Sequence, residues 1–165
     1  MNRRTFLLGA LALGGLSSLV SRLQAAENLP SDVIKKIVKS DAEWKALLPL
    51  DRYKILRKEA TEPRFSSPLN HEKRAGTFAC AGCDLGLFSS KTKYDSGTGW
   101  PSFYRALPGR VGTKVDTFLW RPRTEYHCIR CGGHQGHIFD DGPPPTGKRY
   151  CNNGLALRFH AGVAP

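Results

Sequence analysis

The 165-residue sequence has few cysteines, few acidic residues and no long apolar runs. Its five cysteines are an odd number, which excludes a scaffold in which every cysteine is paired and leaves at least one thiol for another role. The chain has only 14 acidic residues against 25 Lys and Arg, so its net charge is +11. No apolar run reaches the roughly 20 residues of a membrane span, and no repeat of domain size is present. Multi-span membrane, collagen-like and coiled-coil proteins are therefore excluded.

The remaining composition is that of an ordinary globular protein. Hydrophobic residues make up 40% of the chain and charged residues 24%, so a packed core can form and wholesale disorder is excluded. The length suits one domain of common size and is too short for two. The sequence therefore predicts a single globular domain.

The N-terminus has the build of an export signal. Arg3 and Arg4 precede an apolar run over residues 6–16, and two alanines at 25–26 offer small residues for cleavage. This arrangement is typical of bacterial twin-arginine signals. Ser17 ends the run before it is long enough to span a membrane, although an uncleaved inner-membrane anchor stays as the alternative. We expect the twin-arginine translocation machinery to export the chain to the periplasm, where unpaired thiols need a metal or a chemical role.

Helices are predicted ahead of the strands. Residues 40–43, Ser-Asp-Ala-Glu, have the form of a capping box, and Trp44 and Leu47 follow at helical spacing until Pro49 ends the turn. A second short helix is predicted over residues 50–56. The N-terminal part of the domain is therefore expected to be helical.

From Gly76 onward the pattern changes to short β-rich runs between Gly, Pro and Asp clusters. We predict a mainly β domain with an antiparallel two-sheet or barrel-like architecture, to which the short helices are added. Residues 140–145, Asp-Asp-Gly-Pro-Pro-Pro, predict a rigid loop. The predicted strands include residues 76–80, 112–120, 124–128 and 155–160. The predicted organisation is a twin-arginine signal over 1–26, a linker over 27–39, the domain over 40–160 and a C-terminal tail over 161–165.

Four of the five cysteines form two C-x-x-C pairs, here called knuckles: Cys80 with Cys83 and Cys128 with Cys131. Each pair can bring two thiolates to one ion, and together they supply a tetrahedral S₄ set that favours zinc over iron. The rival interpretations are two local disulfides or a thioredoxin-like redox pair, and the latter expects a βαβ pattern that this sequence lacks. We predict one structural zinc ion, which supports the fold and takes no part in chemistry.

The fifth cysteine, Cys151, is the candidate for a reactive thiol. A nearby cation favours the thiolate, and Arg149 would share the face of Cys151 on an extended segment. His134 and His137 directly follow the second knuckle, which would hold both imidazoles in place. The residues alone leave two interpretations open: a cysteine nucleophile with histidine acid/base help, or an inert cysteine beside surface or metal-binding histidines.

Several further motifs occur in a fixed order between residues 61 and 159. They are TEP at 61–63, GTFACAGC at 76–83, KYDSGTGWPSF at 93–103, RTE at 123–125, CIRCGGHQGH at 128–137, DDGP at 140–143, RYCNN at 149–153 and LRF at 157–159. Together they resemble the B-type peptide-methionine sulfoxide reductases, which reduce methionine-R-sulfoxide. The resemblance covers roughly residues 40–160 and implies a repair enzyme acting on oxidised proteins.

The resemblance also implies roles for individual residues. Cys151 would attack the sulfoxide sulfur, release methionine and become a sulfenic acid. His134 and His137 match substrate-site histidines and are candidates for the acid that protonates the sulfoxide oxygen, directly or through water. Asp141 and Arg149 match positions that hydrogen-bond around the site and tune the thiolate.

Three more positions match or depart from the family pattern. Trp100 matches the aromatic wall that contacts the substrate methyl group, and Asn153 matches a polar residue that helps to hold the site. Many family members carry a resolving cysteine where this chain has Thr98. The sequence therefore predicts a one-cysteine cycle, in which an external thiol (thioredoxin-like, glutaredoxin-like or small) reduces the sulfenic acid.

Two functions from other classes are also considered. A basic domain with zinc knuckles can bind nucleic acid. The Lys and Arg residues are scattered, however, and export would separate the protein from nucleic acid, so no nucleic-acid partner is expected. The second alternative is a zinc-knuckle binding or structural domain that has lost its activity.

Overall fold

The structure, a computed structural model, describes residues 34–118 and 121–165. The signal predicted over residues 1–26 and the first part of the predicted linker lie outside the described residues. Within the described chain, no helix is long and apolar enough to cross a membrane.

Two short helices begin the described chain. Helix α1 spans Asp41–Leu47, and the predicted capping box is confirmed: the Ser40 hydroxyl accepts the N–H of Glu43, whose side chain accepts the N–H of Ser40. Helix α2 spans Leu50–Lys58, beyond the predicted 50–56, and ends where Glu59 adopts a left-handed φ of 54°. Trp44 of α1 and Ile55 and Leu56 of α2 are buried in the same core as the strands, whereas Leu47 and Leu50 are exposed.

Strands follow, as the β-rich runs predict, and every pairing between them is antiparallel. The described residues form β1 Gly76–Cys80, β2 Gly86–Ser89, β3 Lys93–Tyr94, β4 Ser102–Phe103, β5 Val111–Asp116, β6 Arg123–Cys128, β7 His134–Phe139, β8 Arg149–Asn152 and β9 Leu157–Ala161. They make a three-stranded sheet in the order β2-β1-β9 and a six-stranded sheet in the order β3-β4-β8-β7-β6-β5. The predicted antiparallel two-sheet domain with short N-terminal helices is confirmed.

Two predicted strands have bounds that differ from those in the structure by more than one residue. The strand predicted over 112–120 ends at Asp116, because its carboxylate accepts the N–H of Phe118 at 2.8 Å and turns the chain. The strand predicted from 155 begins at Leu157, because Gly154–Ala156 forms a 3₁₀ turn. The predicted loop over 140–145 is confirmed, since it contains no strand.

The core lies between the two sheets and is largely aromatic. Phe78 and Phe88 come from the small sheet, Phe103 and Tyr126 come from the large one, and all four are fully buried. The rings of Phe88 and Phe103 stack with centroids 4.2 Å apart, whereas Phe88 meets Tyr126 edge-on at 6.1 Å. Each such pair contributes about 0.5–1.5 kcal/mol beyond its buried area. This packing occupies one face of the six-stranded sheet and leaves its other face for a site.

Candidate active site and metal centre

The cross-strand register of the large sheet brings the candidate residues into one row. Glu125 pairs with His137, His137 with Cys151, and Cys151 with Ser102. Because directly paired residues project to the same face of a sheet, these four side chains lie on the face opposite Tyr126. The row thus joins β6, β7, β8 and β4 around the predicted nucleophile.

A cavity of about 120 Å³ opens on Cys151. Trp100, His137 and Asn153 line it, so the structure brings together four of the sequence-predicted site residues. Its other lining residues are Thr61, Arg123, Gly136, Phe139 and Asn152. A Cβ on Gly136 would lie 1.9 Å from the carbonyl oxygen of Cys151, so only glycine allows β7 and β8 this approach.

Glu62 holds the cavity walls in place, and sequence reasoning assigned it no role. Its backbone oxygen accepts the indole N–H of Trp100 at 3.1 Å, and its N–H donates to Oδ1 of Asn153 at 3.0 Å. Its buried carboxylate accepts the N–H groups of Gly154 and Leu155 at 2.6 and 2.8 Å. Burial raises the pKa of Glu62, and these backbone hydrogen bonds oppose the rise only in part. The family-like segment at 61–63 was the one sequence signal that pointed here.

Arg149 and Asp141 form a bidentate ion pair next to the cavity, although neither lines it. The Arg149 guanidinium donates to the two Asp141 carboxylate oxygens at 2.8 and 2.7 Å and lies 4.3 Å from the ring centre of Phe139. Arg149 is nearly buried, so its charge acts through a medium of low polarity. The pair places a fixed cation two residues from the nucleophile.

Burial and charge oppose each other at Cys151. Burial raises the pKa of the Cys151 thiol, and the charge of Arg149 with hydrogen bonds from Thr98 and Arg149 lowers it only in part. The nearby charge of Asp141 adds to the rise. Arg149 therefore acts in the predicted direction, but burial outweighs it and the pKa stays above its ordinary range.

Each candidate histidine is hydrogen-bonded to a carboxylate. Nδ1 of His134 lies 2.7 Å from Glu125, and Nε2 of His137 lies 2.7 Å from Asp116, which also accepts from Arg123 at 2.6 Å. The two rings are 5.6 Å apart, centroid to centroid. Neither carboxylate was a predicted site residue, because a hydrogen bond between strands is invisible in local spacing. The carboxylates fix which ring nitrogen of each histidine is free.

The pKa shifts follow from these pairs. Burial alone would raise the pKa of Glu125, but hydrogen bonds from His127 and His134 outweigh it and lower the pKa to about 2. Burial lowers the pKa of His137, and its hydrogen bond to Asp116 offsets part of the drop. Glu125 is therefore ionised at neutral pH, and the Nδ1–H of His134 donates to it.

The two histidines are not equivalent in position. His137 lines both the Cys151 cavity and an adjoining larger cavity. In the part of the chain that the structure describes, His134 lines the larger cavity only. The structure therefore brings His137 to the nucleophile and places His134 behind it.

Thr98, at the position of the missing resolving cysteine, belongs to a chain of hydroxyl groups. Its Oγ1 lies 2.8 Å from Oγ of Ser96, which lies 2.7 Å from Oγ of Ser102, the β4 partner of Cys151. All five cysteines lie in the described residues and none forms a disulfide. Position 98 therefore presents a hydroxyl where a resolving thiol would be needed.

The four knuckle cysteines cluster at metal-binding distance. Their Sγ atoms all lie within 4.8 Å of one another, with Cys80 to Cys131 at 3.7 Å and Cys83 to Cys128 at 3.5 Å. A tetrahedral ion with metal–sulfur bonds of about 2.3 Å needs sulfurs about 3.8 Å apart. Nε2 of Gln135 donates to Sγ of Cys80 at 3.4 Å, a second-layer contact typical of thiolate ligands. The set fits one zinc ion, and all four thiols are free, so the two local disulfides that were the alternative are not formed.

Fold and site together define a class: a small antiparallel β domain with a four-cysteine centre and a buried, cation-flanked cysteine in a cavity. The SelR domain family matches residues 48–161. Proteins named peptide methionine sulfoxide reductase MsrB are similar to the chain. The one from Methanosarcina barkeri is 50% identical over 76% of this chain and 89% of its own length. The one from Thiobacillus denitrificans is 50% identical over 74% of this chain and 93% of its own length. The one from Pseudomonas putida is 48% identical over 76% of this chain and 96% of its own length. The chain belongs to the SelR domain family of B-type peptide methionine sulfoxide reductases.

Proposed function

We propose that the protein reduces methionine-R-sulfoxide in oxidised proteins to methionine, with Cys151 as the nucleophile. The observation that carries the proposal is the Cys151 cavity, whose wall combines the apolar ring of Trp100 with the polar side chains of His137 and Asn153. The Trp100 ring would contact the methyl group of the sulfoxide, and Asn153 would help to hold the polar end.

In the first step, the thiolate of Cys151 attacks the sulfoxide sulfur, and the sulfur–sulfur bond that forms breaks again when the protonated oxygen moves from the substrate sulfur to the cysteine sulfur. The substrate sulfur gains two electrons and leaves as methionine, while Cys151 loses two and becomes a sulfenic acid. The oxygen is a poor leaving group until it is protonated, so the step needs an acid. His137 can supply the proton from the cavity wall, directly or through a water molecule, whereas His134 lies behind it in the wall of the adjoining larger cavity.

Asp141 and Arg149 tune the nucleophile in this proposal. The raised pKa of Cys151 means that the thiol is mostly protonated before substrate binds. The nearby Arg149 cation then stabilises the thiolate once the proton has left, and Asp141 holds the guanidinium in place.

In the second step, an external thiol recycles the enzyme. Two thiols reduce the sulfenic acid of Cys151 to the thiol, and one disulfide and one water molecule are formed. A thioredoxin-like protein, a glutaredoxin-like protein or a small thiol can supply them. The hydroxyl at Thr98 supports this cycle, since it cannot form the intramolecular disulfide.

The four-cysteine cluster would hold one structural zinc ion. Zinc there would tie the two knuckles together, and Cys80, Cys83, Cys128 and Cys131 would be its ligands. The proposed site of action is the periplasm, reached through the twin-arginine machinery, because of the Arg3-Arg4 motif.

A stereospecific assay tests the proposal. The R and S epimers of a blocked methionine sulfoxide are each incubated with the zinc-loaded protein and dithiothreitol, beside the Cys151→Ser variant. We expect loss of the R epimer alone, and at least a thousandfold lower rate in Cys151→Ser, because serine is a far weaker nucleophile than cysteine at neutral pH. A wild-type protein that is folded and zinc-bound yet consumes neither epimer would support the structural or binding domain instead.

A further inference from the structure

A second cavity, of about 550 Å³, adjoins the one of about 120 Å³ at Cys151. The two share Thr61, Arg123 and His137 as lining residues, so they are neighbouring parts of one cleft. The second is more than four times the volume of the first, which suits an occupant larger than the side chain that Cys151 would attack. Its other walls are Lys58, Glu59, Ala60, Asp116, Phe118 and His134.

A buried polar atom in the wall of this second cavity lacks a partner. His134 is 3% exposed, and its Nδ1 is engaged with Glu125 at 2.7 Å. Its Nε2 has no hydrogen-bond partner among the residues that the structure describes. An unpaired buried group of this kind destabilises the free protein, so a ligand that supplies a hydrogen bond there would bind favourably.

The charged side chains of the second cavity are already compensated. Lys58 pairs with Asp41 at 2.9 Å, and Arg123 pairs with Asp116 at 2.6 Å. Paired cations attract a free anion weakly, so the cavity favours a neutral, hydrogen-bonding occupant. A peptide main chain, which carries an N–H and a carbonyl in every unit, has this chemistry.

Phe118 adds an apolar surface to the wall. Its side chain is 90% exposed, and its N–H donates to Oδ1 of Asp116 at 2.8 Å, which holds the residue in the turn after β5. An exposed aromatic side chain beside a polar cleft is typical of a surface that contacts a polypeptide.

We propose that this second cavity binds the polypeptide segment next to the oxidised methionine. Nε2 of His134 bonds a peptide group of that segment, and Phe118 contacts an apolar side chain next to the sulfoxide. The proposal rests on the proposed function and extends it, because it assigns the preference for protein-bound over free methionine sulfoxide to one part of the cleft.

The test compares two substrates with dithiothreitol as reductant, so that docking of a reductant protein has no influence. One is N-acetyl-methionine-R-sulfoxide amide, and the other is a heptapeptide with the same sulfoxide between leucines. The variants are Phe118→Ser and a matched control, Val115→Ser, which is 71% exposed and lies outside the cavity. We expect Phe118→Ser to lower kcat/KM for the peptide about fivefold and leave the small substrate unchanged, and Val115→Ser to change neither.

A direct measurement accompanies the kinetics. In histidine-labelled Cys151→Ser protein, the peptide should shift the Nε2 resonance of His134 while the small substrate should not. Equal effects of Phe118→Ser on both substrates, or none on the peptide, would overturn the proposed subsite. Absence of any reduction by the wild type would instead overturn the proposed function, so the two failures are distinct.

Discussion

At the scale of single residues, the competition between burial and charge decides how reactive Cys151 is. The thiol is removed from water, which favours its neutral form, and Arg149 recovers only part of the thiolate stability. Arg149 is itself held by Asp141, whose charge works against the thiolate. On an exposed loop, water would screen these charges and the pKa of Cys151 would be close to its ordinary value. The shift of this pKa therefore depends on the burial of the thiol.

Replacing Arg149 should therefore change the pKa of Cys151. In Arg149→Gln the cation is lost and the Asp141 carboxylate stays, so the pKa of Cys151 rises further. Since each unit of pKa is a factor of ten in thiolate, iodoacetamide should alkylate Cys151 roughly tenfold more slowly at pH 8. Mass spectrometry of the Cys151 peptide measures the rate, and Arg149→Lys, which keeps the charge, is the control. Equal rates in wild type and both variants would contradict this expectation.

A second residue-scale prediction concerns Thr98. Its hydroxyl is near enough to Cys151 to lower the pKa of that thiol, so a thiol at this position would lie close to the sulfenic acid. After sulfoxide turnover without reductant, Thr98→Cys should contain a disulfide between residues 98 and 151. Wild type and Thr98→Ser should instead form a dimedone adduct on Cys151. A disulfide from Cys151 to a knuckle cysteine in the wild type would argue against the one-cysteine cycle.

At the scale of elements, carboxylates on β5 and β6 hold the histidines of β7. Glu125 lies on β6, is 1% exposed, and accepts hydrogen bonds from His134 and His127 at 2.7 and 3.0 Å. The His134 contact connects β6 to β7 and orients an imidazole in the wall of the second cavity, whereas the His127 contact lies within β6. The positions of the histidines therefore depend on the register of three strands.

Glu125 should make stability depend on pH. Its folded pKa of about 2 is below the ordinary value, so its contribution is complete above the unfolded pKa of about 4.3 and is lost as pH falls through about 2. Glu125→Gln should cost about 3 kcal/mol of unfolding free energy at pH 7 and about 1.5 kcal/mol at pH 3. Urea unfolding of zinc-loaded protein at both values gives the two differences.

The matched control for Glu125 is Glu59→Gln. Glu59 is half-exposed and pairs with Lys114 on the surface, where an ion pair contributes about 0.2–1 kcal/mol. A loss for Glu125→Gln as small as that of the control, or one that is independent of pH, would show that the buried pairs do not stabilise the sheet.

At the scale of the whole molecule, the cysteine cluster joins parts that are distant in sequence. Cys80 ends β1 of the small sheet and Cys128 ends β6 of the large one. The guanidinium of Arg57 on α2 donates to the carbonyl of Cys131 at 3.0 Å, so the helices are attached to the same centre. An ion at this centre would couple both sheets and the N-terminal helices.

Loss of the metal should therefore loosen the entire fold. We expect the wild type to hold one zinc ion per chain and Cys128→Ser to hold none, which native mass spectrometry measures. The Tm of Cys128→Ser should fall by at least about 10 °C, because a structural zinc ion contributes several kcal/mol to folding. Cys151→Ser should keep both the zinc and the Tm. A knuckle variant that retains its Tm without zinc would exclude a structural role for the metal.

Local sequence patterns were sufficient to predict much of this protein. The spacing of Cys80, Cys83, Cys128 and Cys131 separated four clustered thiols from a fifth, because ligands on a tight knuckle are close in sequence as well as in space. The capping box at Ser40 and the antiparallel β architecture were likewise predicted, since turns, caps and alternation are local properties.

Only the tertiary structure decided how the site is assembled. Glu62 meets Asn153 across 91 positions and Asp116 meets His137 across 21, contacts that follow from strand register and not from any local pattern. Burial, which raises the pKa of Cys151 and leaves Nε2 of His134 unpartnered, likewise depends on what packs around each group. The sequence by itself determined which residues are available for chemistry. Desolvation and long-range pairing, which are properties of the packed chain, decided which of them meet and how they are charged.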